Sequence, residues 1–452
     1  METLTKIIKT TSGFLWDNIL VYALLITGIY FTIRLGFPQI VKFSQAMKEA
    51  FGGLFSKEKK SGGVSSFQAL ATAVAAQVGT GNVAGVASAI ISGGPGAVFW
   101  MWVSGILGMS TIFAEAVLAQ VYRQKENGEV YGGPAYYMTK GLKNKTFGKV
   151  LAAIFAIFII LALSIAGNMV QSNSIAASME QAFGIKPIYV GLVLGVMIFA
   201  IVVGGIERIS KFAELVVPFM AIVFIGVGFA VVIKFRANLG PVFSQIFKFA
   251  FTPEAAVGGA VGFTVKQAVK LGLQRGLFSN EAGMGSTPHA HAVAEVAHPV
   301  NQGLVAMAGV VVDTLIICTM TALIILLPGA NEGLAPGVTG AVVTQNAFKL
   351  AFGNFGEMFL AVTLLFFAFT TILGWYYFGE SNIMYLFGKK ALMPFRIIVV
   401  AAVVFGTTLS AQIVWDISDL FNALMVLPNL IAVLLLSKVV VNKKKEFEQI
   451  NK

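Results

Sequence analysis

The chain has 452 residues, of which 57% are hydrophobic and 12% charged, with a mean hydropathy of +0.82 and a formal net charge of +11. That composition excludes an ordinary soluble globular protein and puts the chain in a bilayer. A single cysteine, Cys318, excludes an intrachain disulfide and any cysteine cluster, and its apolar surroundings fit a packed thiol better than a nucleophile.

A membrane-spanning helix needs about 20 mostly apolar residues. Runs of that kind recur along the chain, whereas the alternating strands of about 10 residues expected of an outer-membrane barrel are missing from it. The fold class is therefore all-α, a polytopic membrane protein with about eleven transmembrane helices. The predicted spans are 16–33, 67–91, 97–122, 150–183, 188–204, 212–233, 256–289, 303–327, 358–378, 397–412 and 420–441. The first has Trp16 and Asp17 ahead of its apolar run and no small-residue cleavage pattern after it, so it reads as a retained span.

Basic residues follow alternate spans: Lys42, Lys48, Lys57, Lys59 and Lys60 after the first, Arg123, Lys125, Lys140, Lys143 and Lys145 after the third, Arg208 and Lys211 after the fifth, and Lys389, Lys390 and Arg396 after the ninth. By the positive-inside rule these loops are cytoplasmic, the N-terminus is external and the tail "VVNKKKEFEQINK" is internal. Lys234, Arg236 and Lys248 run against the pattern. Membrane orientation thus accounts for the net charge, and lipid rather than nucleic acid is the expected partner.

Setting the first span aside leaves ten, and the second and seventh, richest in glycine and polar residues, open two sets of five. An odd number of spans per set makes the second set start from the opposite face, the geometry of an inverted repeat with a discontinuous first helix in each half. The expected organisation is residues 1–66 as an extra helix and loop, 67–235 as the first repeat, 236–441 as the second and 442–452 as a cytoplasmic tail.

The second span contains "AAQVGTGNVAG". Peptide groups inside hydrocarbon must be satisfied, so a helix breaks there only where protein, water or ligand fills the gap. Gly79 and Gly81 free the backbone, and Thr80 and Asn82 add polar side chains. The half-helix starting near Asn82 offers N–H groups to a carboxylate, and the half ending near Val78 offers carbonyls to a small cation. In the fourth span, Asn168, Gln171 and Ser172 form a polar stripe that suits either an interhelical network or substrate contact. The seventh carries the second break, "RGLFSNEAGMGS", in which Ser279, Asn280 and Glu281 cannot face lipid. The two breaks are expected to face one midplane cavity.

The ninth span supplies Thr370 and Thr371, whose hydroxyls are expected to join the carbonyls of Ala75 and Val78 around one cation, and Trp375, which could close the cavity or anchor the span at the interface. Hard oxygen ligands without a carboxylate suit Na⁺. Glu115 and Asp313 lie within spans and Lys266, Lys270 and Arg275 ahead of the second break, so ion pairing is the default expectation, a proton relay the other. The spacing of His289, His291 and His298 does not put all three on one helix face, which argues against a metal site.

The stretches "FQALATAVAAQVGTGNVAGVASAI", "GGPGAVFWMWV", "EAVLAQVYR", "GNMVQSNS", "RGLFSNEAGMGS" and "TTILGWYYFGE" resemble the alanine or glycine:cation symporter family, the sodium–alanine symporters of bacteria and archaea, over nearly the whole chain. The resemblance implies eleven spans, a core of two inverted five-helix repeats as in LeuT-type transporters, and sodium-driven uptake of a small amino acid. It also implies that the substrate carboxylate meets the amides of Gly79, Thr80 and Gly81, and that the ammonium faces carbonyls and groups such as Gln171, Ser279 or Thr371. Phe278 and Trp375 would bound the side-chain pocket, and Na⁺ would sit between Ala75, Val78, Thr370 and Thr371.

The expected function is alternating-access symport of Na⁺ with L-alanine or glycine, D-alanine being a further candidate, with no organic cofactor and no bond made or broken. Coupling to H⁺ through Glu115, Asp313 or Glu281 is the nearest rival. A channel and a membrane enzyme are weaker ones, since two closing breaks suit occlusion and no nucleophile, base and metal cluster is visible.

Overall fold

The computed structural model describes residues 2–52, 64–126, 129–253, 264–334, 338 and 340–450. Lys57, Lys59 and Lys60 of the first basic cluster, residues 256–263 of the seventh expected span, and residues 451–452 of the tail lie outside the described residues. Among those described, seven helices are long and apolar enough to cross a membrane: Thr5–Arg34, Gly96–Tyr122, Lys145–Phe183, Gly205–Lys234, Pro299–Leu326, Asn354–Phe387 and Ala411–Leu435. An eighth crossing is built from Ser66–Gln77 and Gly81–Gly93, bent by 46° at their junction. The other three expected spans correspond to shorter helices, Pro187–Val202 and Val265–Asn280 of 16 residues each and Leu392–Gly406 of 15. At about 1.5 Å per residue, 16 residues reach about 24 Å, short of a hydrocarbon core of about 30 Å. On length alone these three helices fall short of a full crossing.

Both interrupted helices begin in the same way. Ser65 caps Ser66–Gln77 in a capping box with Gln68, and Thr264 caps Val265–Asn280 in a capping box with Gln267. The reciprocal bonds satisfy the free N–H groups of the first turn and fix the helix start. The matching pair, "SSFQ" and "TVKQ", thus opens both interrupted helices. Glu295 N–H also bonds to the Val64 carbonyl at 3.0 Å, which ties the start of the first interrupted helix to the chain beyond the second break.

The interrupted helices occupy the middle of the bundle. Val265–Asn280 packs on Gly96–Tyr122, and Ser66–Gln77 packs on Gly205–Lys234 and Asn354–Phe387. Glycine permits the closest crossings. A Cβ on Gly276 would lie 2.9 Å from the Ser104 Cβ, and one on Gly374 would lie 2.8 Å from the Ala76 Cβ. The amino-terminal helix sits outside, against Gly96–Tyr122 and Ala411–Leu435. Outer faces such as Val196, Leu215 and Ile222 are exposed apolar surface, as a bilayer requires.

The expected pairing of charges is redistributed. Arg275 makes a bidentate bond to Asp419 on Ala411–Leu435, at 2.7 and 2.9 Å, and stacks over Trp415 at 4.3 Å. Lys270 pairs with Asp17 at 2.9 Å. Among the described residues Glu115, Glu281 and Asp313 take part in no ion pair. Because Arg275 and Asp419 are nearly buried, at 8% exposure each, removing one partner leaves a charge unmatched, which costs about 3–5 kcal/mol. Asp419→Ala is therefore expected to lower the thermal unfolding temperature in detergent clearly, whereas Lys9→Ala, at the exposed Lys9–Asp416 pair, should change it little.

Candidate functional site

The first break forms because Val78 takes an extended conformation, φ −82° and ψ 92°, which ends Ser66–Gln77, and the chain resumes in a π-helical turn at Gly81–Gly85. The second forms where Glu281 adopts a left-handed conformation, φ 59° and ψ 9°, after Asn280. The two breaks touch. Gln77 Nε2 donates to the Asn280 carbonyl at 2.6 Å, and a Cβ on Gly81 would lie 3.2 Å from both the Phe278 ring and the Ser279 Cα.

On the amide side, Gly79 N–H donates to Asn82 Oδ1 at 2.9 Å and Thr80 N–H to Gln171 Oε1 at 3.0 Å. The Gln171 Nε2 and Thr80 Oγ1 atoms are buried and make no hydrogen bond among the described residues. Buried donors of this kind are costly unless something accepts from them. Gln171 thus offers free N–H groups beside the very amides that open the second half-helix.

On the carbonyl side, the Thr371 hydroxyl lies 2.9 Å from the Ala75 carbonyl, 3.2 Å from the Val78 carbonyl and 3.1 Å from the Phe367 carbonyl of its own helix. A threonine has one O–H proton. It can serve one of the three carbonyls at a time, so the remaining oxygen lone pairs converge on a point that a small cation would stabilise. Thr371 sits under Gly79 so closely that only a glycine fits there.

Two expected side chains are turned elsewhere. Thr370 Oγ1 bonds back to the Phe366 and Phe367 carbonyls of its own helix, at 3.1 and 2.9 Å, rather than toward Ala75 and Val78. The reason is helical: adjacent residues point about 100° apart, and Thr371 alone faces the break. Asn280 accepts Ala282 N–H at 3.0 Å and turns its amide toward Ser104, leaving only its backbone carbonyl at the junction. The expected open cavity is also filled, since Thr80, Asn82, Gln171, Ser279 and Thr371 are all fully buried. Polar side chains occupy the peptide groups that the breaks expose.

Asp313 joins the two breaks, a role its position in the eighth span did not suggest. Its carboxylate accepts from Asn82 Nδ2 at 2.6 Å, from Ser279 Oγ at 2.9 Å and from Thr314 Oγ1 at 2.7 Å. Asp313 lies in a π-helical stretch, Val311–Cys318, a local widening common at functional sites. Glu115 likewise accepts from Gly283 N–H, Gly285 N–H and Asn429 Nδ2 at 2.9, 3.0 and 2.5 Å, which holds the chain after the second break. Around the junction stand the aromatic groups: Phe278 is edge-on to Trp375 at 5.5 Å between ring centroids and tilted against Trp415 at 4.8 Å. The expected Phe278 and Trp375 thus stand together, while Trp415 gave no sequence signal.

The histidines are structural. His289 stacks on Phe155 and Phe378 and bonds to the Ser286 carbonyl, His291 bonds to Gln302, and His298 caps the helix Pro299–Leu326. Among the described residues no three His, Cys, Asp or Glu side chains gather as a metal site.

A membrane bundle with two interrupted central helices, polar at their meeting point, is the architecture of a secondary transporter. The fold is shared with solved transporters at low sequence identity: MhsT in complex with L-phenylalanine, at 14% identity and TM-score 0.59 over 81% of this chain and 87% of that one, and a manganese transporter of Eremococcus coleocola, at 15% and 0.51 over 81% and 75%. It is the LeuT-type fold. The model of the sodium:alanine symporter family matches residues 1–452, and the chain belongs to that family. Its relatives include the sodium/alanine symporter AgcS of Methanococcus maripaludis, 43% identical over 99% of this chain and 98% of that protein, and a Bacillus subtilis protein named "Probable sodium/glutamine symporter GlnT", 44% identical over 99% and 91%. The amino-acid carrier protein AlsT of Bacillus subtilis is 42% identical over 98% and 92%. These are transporters and not enzymes.

Proposed function

We propose that the chain couples inward movement of Na⁺ to uptake of a small neutral amino acid, alanine or glycine, across the cytoplasmic membrane, with its N-terminus outside and its C-terminus inside. The observation that carries this reading is the single break that offers both kinds of ligand: the carbonyls of Ala75 and Val78 with the Thr371 hydroxyl for the cation, and the amides of Gly79, Thr80 and Gly81 with Gln171 for the carboxylate. Asn82 and Ser279 hold the surrounding groups through Asp313, and Phe278 and Trp375 bound the side chain. The relatives' names join sodium to alanine, and in one case to glutamine. The close ring contact and the tight approach of Gly81 to Phe278 favour the smaller substrate.

The test is uptake of [³H]alanine into proteoliposomes. An inward Na⁺ gradient is expected to drive accumulation above the external concentration, competed by glycine more strongly than by glutamine. Accumulation driven by a pH gradient without Na⁺ would reject the ion, and glutamine outcompeting alanine would reject the substrate.

A further inference from the structure

Glu281 combines features that the break itself does not require. It is one of two non-glycine residues with a positive φ among the described residues, the other being Phe37. Glycine would take this conformation without the crowding a side chain meets, so the backbone alone gives no reason for a glutamate. Its carboxylate is fully buried and enters no ion pair among the described residues. One oxygen accepts from Trp375 Nε1 at 2.5 Å and the other from Ser286 Oγ at 2.5 Å.

Among the described residues, the indole it holds is otherwise braced by packing. Phe278 meets one side of the Trp375 ring, and Gly167 lets the fourth span approach it so closely that a Cβ there would strike the ring. The bond from Glu281 is the polar contact that fixes which way the indole is turned. Trp375 lies one helical turn beyond Thr371, so its rotation sets the space left above the junction of the breaks.

We infer that Glu281 is a positioning residue for substrate selection: by anchoring the indole of Trp375 from the second break, it sets the size limit of the side-chain pocket. This rests on the reading of Phe278 and Trp375 as that pocket's walls. Glutamine in the same place still accepts from Trp375 through its oxygen and donates to the Ser286 hydroxyl, so anchoring survives the exchange. Alanine removes the anchor altogether. A residue that served as a proton carrier would show no such difference, failing with glutamine as fully as with alanine.

The experiment measures competition of [³H]alanine uptake in proteoliposomes by glycine, alanine, 2-aminobutyrate and valine, for the wild type, Glu281→Gln, Glu281→Ala and Trp375→Phe. Glu281→Ala is expected to raise the relative affinity for valine over alanine by about 10-fold, the scale of discrimination attached to a methylene or two. Glu281→Gln should stay within about two-fold of the wild type, in keeping with the intact bond. Trp375→Phe keeps a ring but lacks the N–H, should shift the ranking in the same direction as Glu281→Ala, and carries the test if that variant does not reach the membrane. An unchanged ranking in Glu281→Ala, or in Trp375→Phe where it stands in, overturns the inference, as does a glutamine variant that matches the alanine one. A wild type that does not rank these amino acids by size overturns the pocket reading first, and the inference with it.

Discussion

Gly79→Ala is expected to abolish amino-acid uptake, by about 100-fold or more, while the protein still inserts and folds. The scale is that of a misplacement of about 1 Å at a site where binding geometry decides the rate. A Cβ at this position would overlap the Thr371 hydroxyl and lie 2.9 Å from Gln171 Oε1 and 3.0 Å from the Thr371 Cβ. Both displaced groups belong to the proposed site, one on the cation side and one on the carboxylate side. Gly79 does not have a positive φ, so alanine brings no backbone strain and its effect is purely one of crowding. Overpacking of this kind costs about 1–3 kcal/mol, enough to lower the unfolding temperature but not to unfold a large bundle. Gly226→Ala is the control: its Cβ would meet nothing within 4 Å, in the middle of Gly205–Lys234. It should transport normally and gain slight stability from helix propensity. Uptake normalised to the protein present in the membrane checks both. Wild-type rates in Gly79→Ala would remove the first break from the site.

The sequence carried the arrangement of helices well because hydrophobic runs and glycine-rich interruptions are local signals. The two broken segments stand out by composition alone, and the structure breaks both, at Val78 and at Glu281. The capping boxes at Ser65 and Thr264 were equally local and would have marked the two halves as matched. What could not be read was direction. Thr370 and Thr371 look equivalent as letters, and helix rotation alone separates them. Asn280 stands in the sequence beside Ser279 and Glu281 as another polar member of its break, but its side chain turns away from the junction to accept from Ala282 N–H. Partners distant in sequence were also hidden. Asn82 and Asp313 are 231 residues apart, and Gln77 and Asn280 are 203 apart.

The buried acids show the same limit in energetic form. Charges inside a membrane are expected to pair with opposite charges. Here Arg275 and Lys270 are taken by Asp419 and Asp17 on other helices. Glu115 is satisfied instead by two backbone N–H groups just beyond the second break, and Glu281 and Asp313 by side-chain O–H and N–H groups around the two breaks. Interrupting a helix frees donors as well as acceptors, and Glu115 takes up two of them.

Thr371→Val is expected to raise the Na⁺ concentration for half-maximal uptake by about 10-fold or more. Valine keeps the shape of threonine and removes only the hydroxyl. A hydrogen bond or ligand contact to a charged group is worth about 1.5–3 kcal/mol, and 1.4 kcal/mol is about a factor of 10 in affinity. The loss should fall on the ion, with the alanine requirement at saturating Na⁺ rising much less, because the amides of the second half-helix are untouched. Thr370→Val separates this effect from a general weakening of the ninth span. Among the described residues its hydroxyl bonds back to carbonyls of its own helix, at 3.1 and 2.9 Å, and makes no contact with the break, so its loss is expected to leave the Na⁺ requirement unchanged. The two variants differ by one position and delete the same atom. A steep Na⁺ shift in Thr371→Val and none in Thr370→Val therefore assigns the ion to the face that meets Ala75 and Val78. Equal shifts in both would mean that the ninth span acts on Na⁺ through its packing, and the proposed cation site would fail.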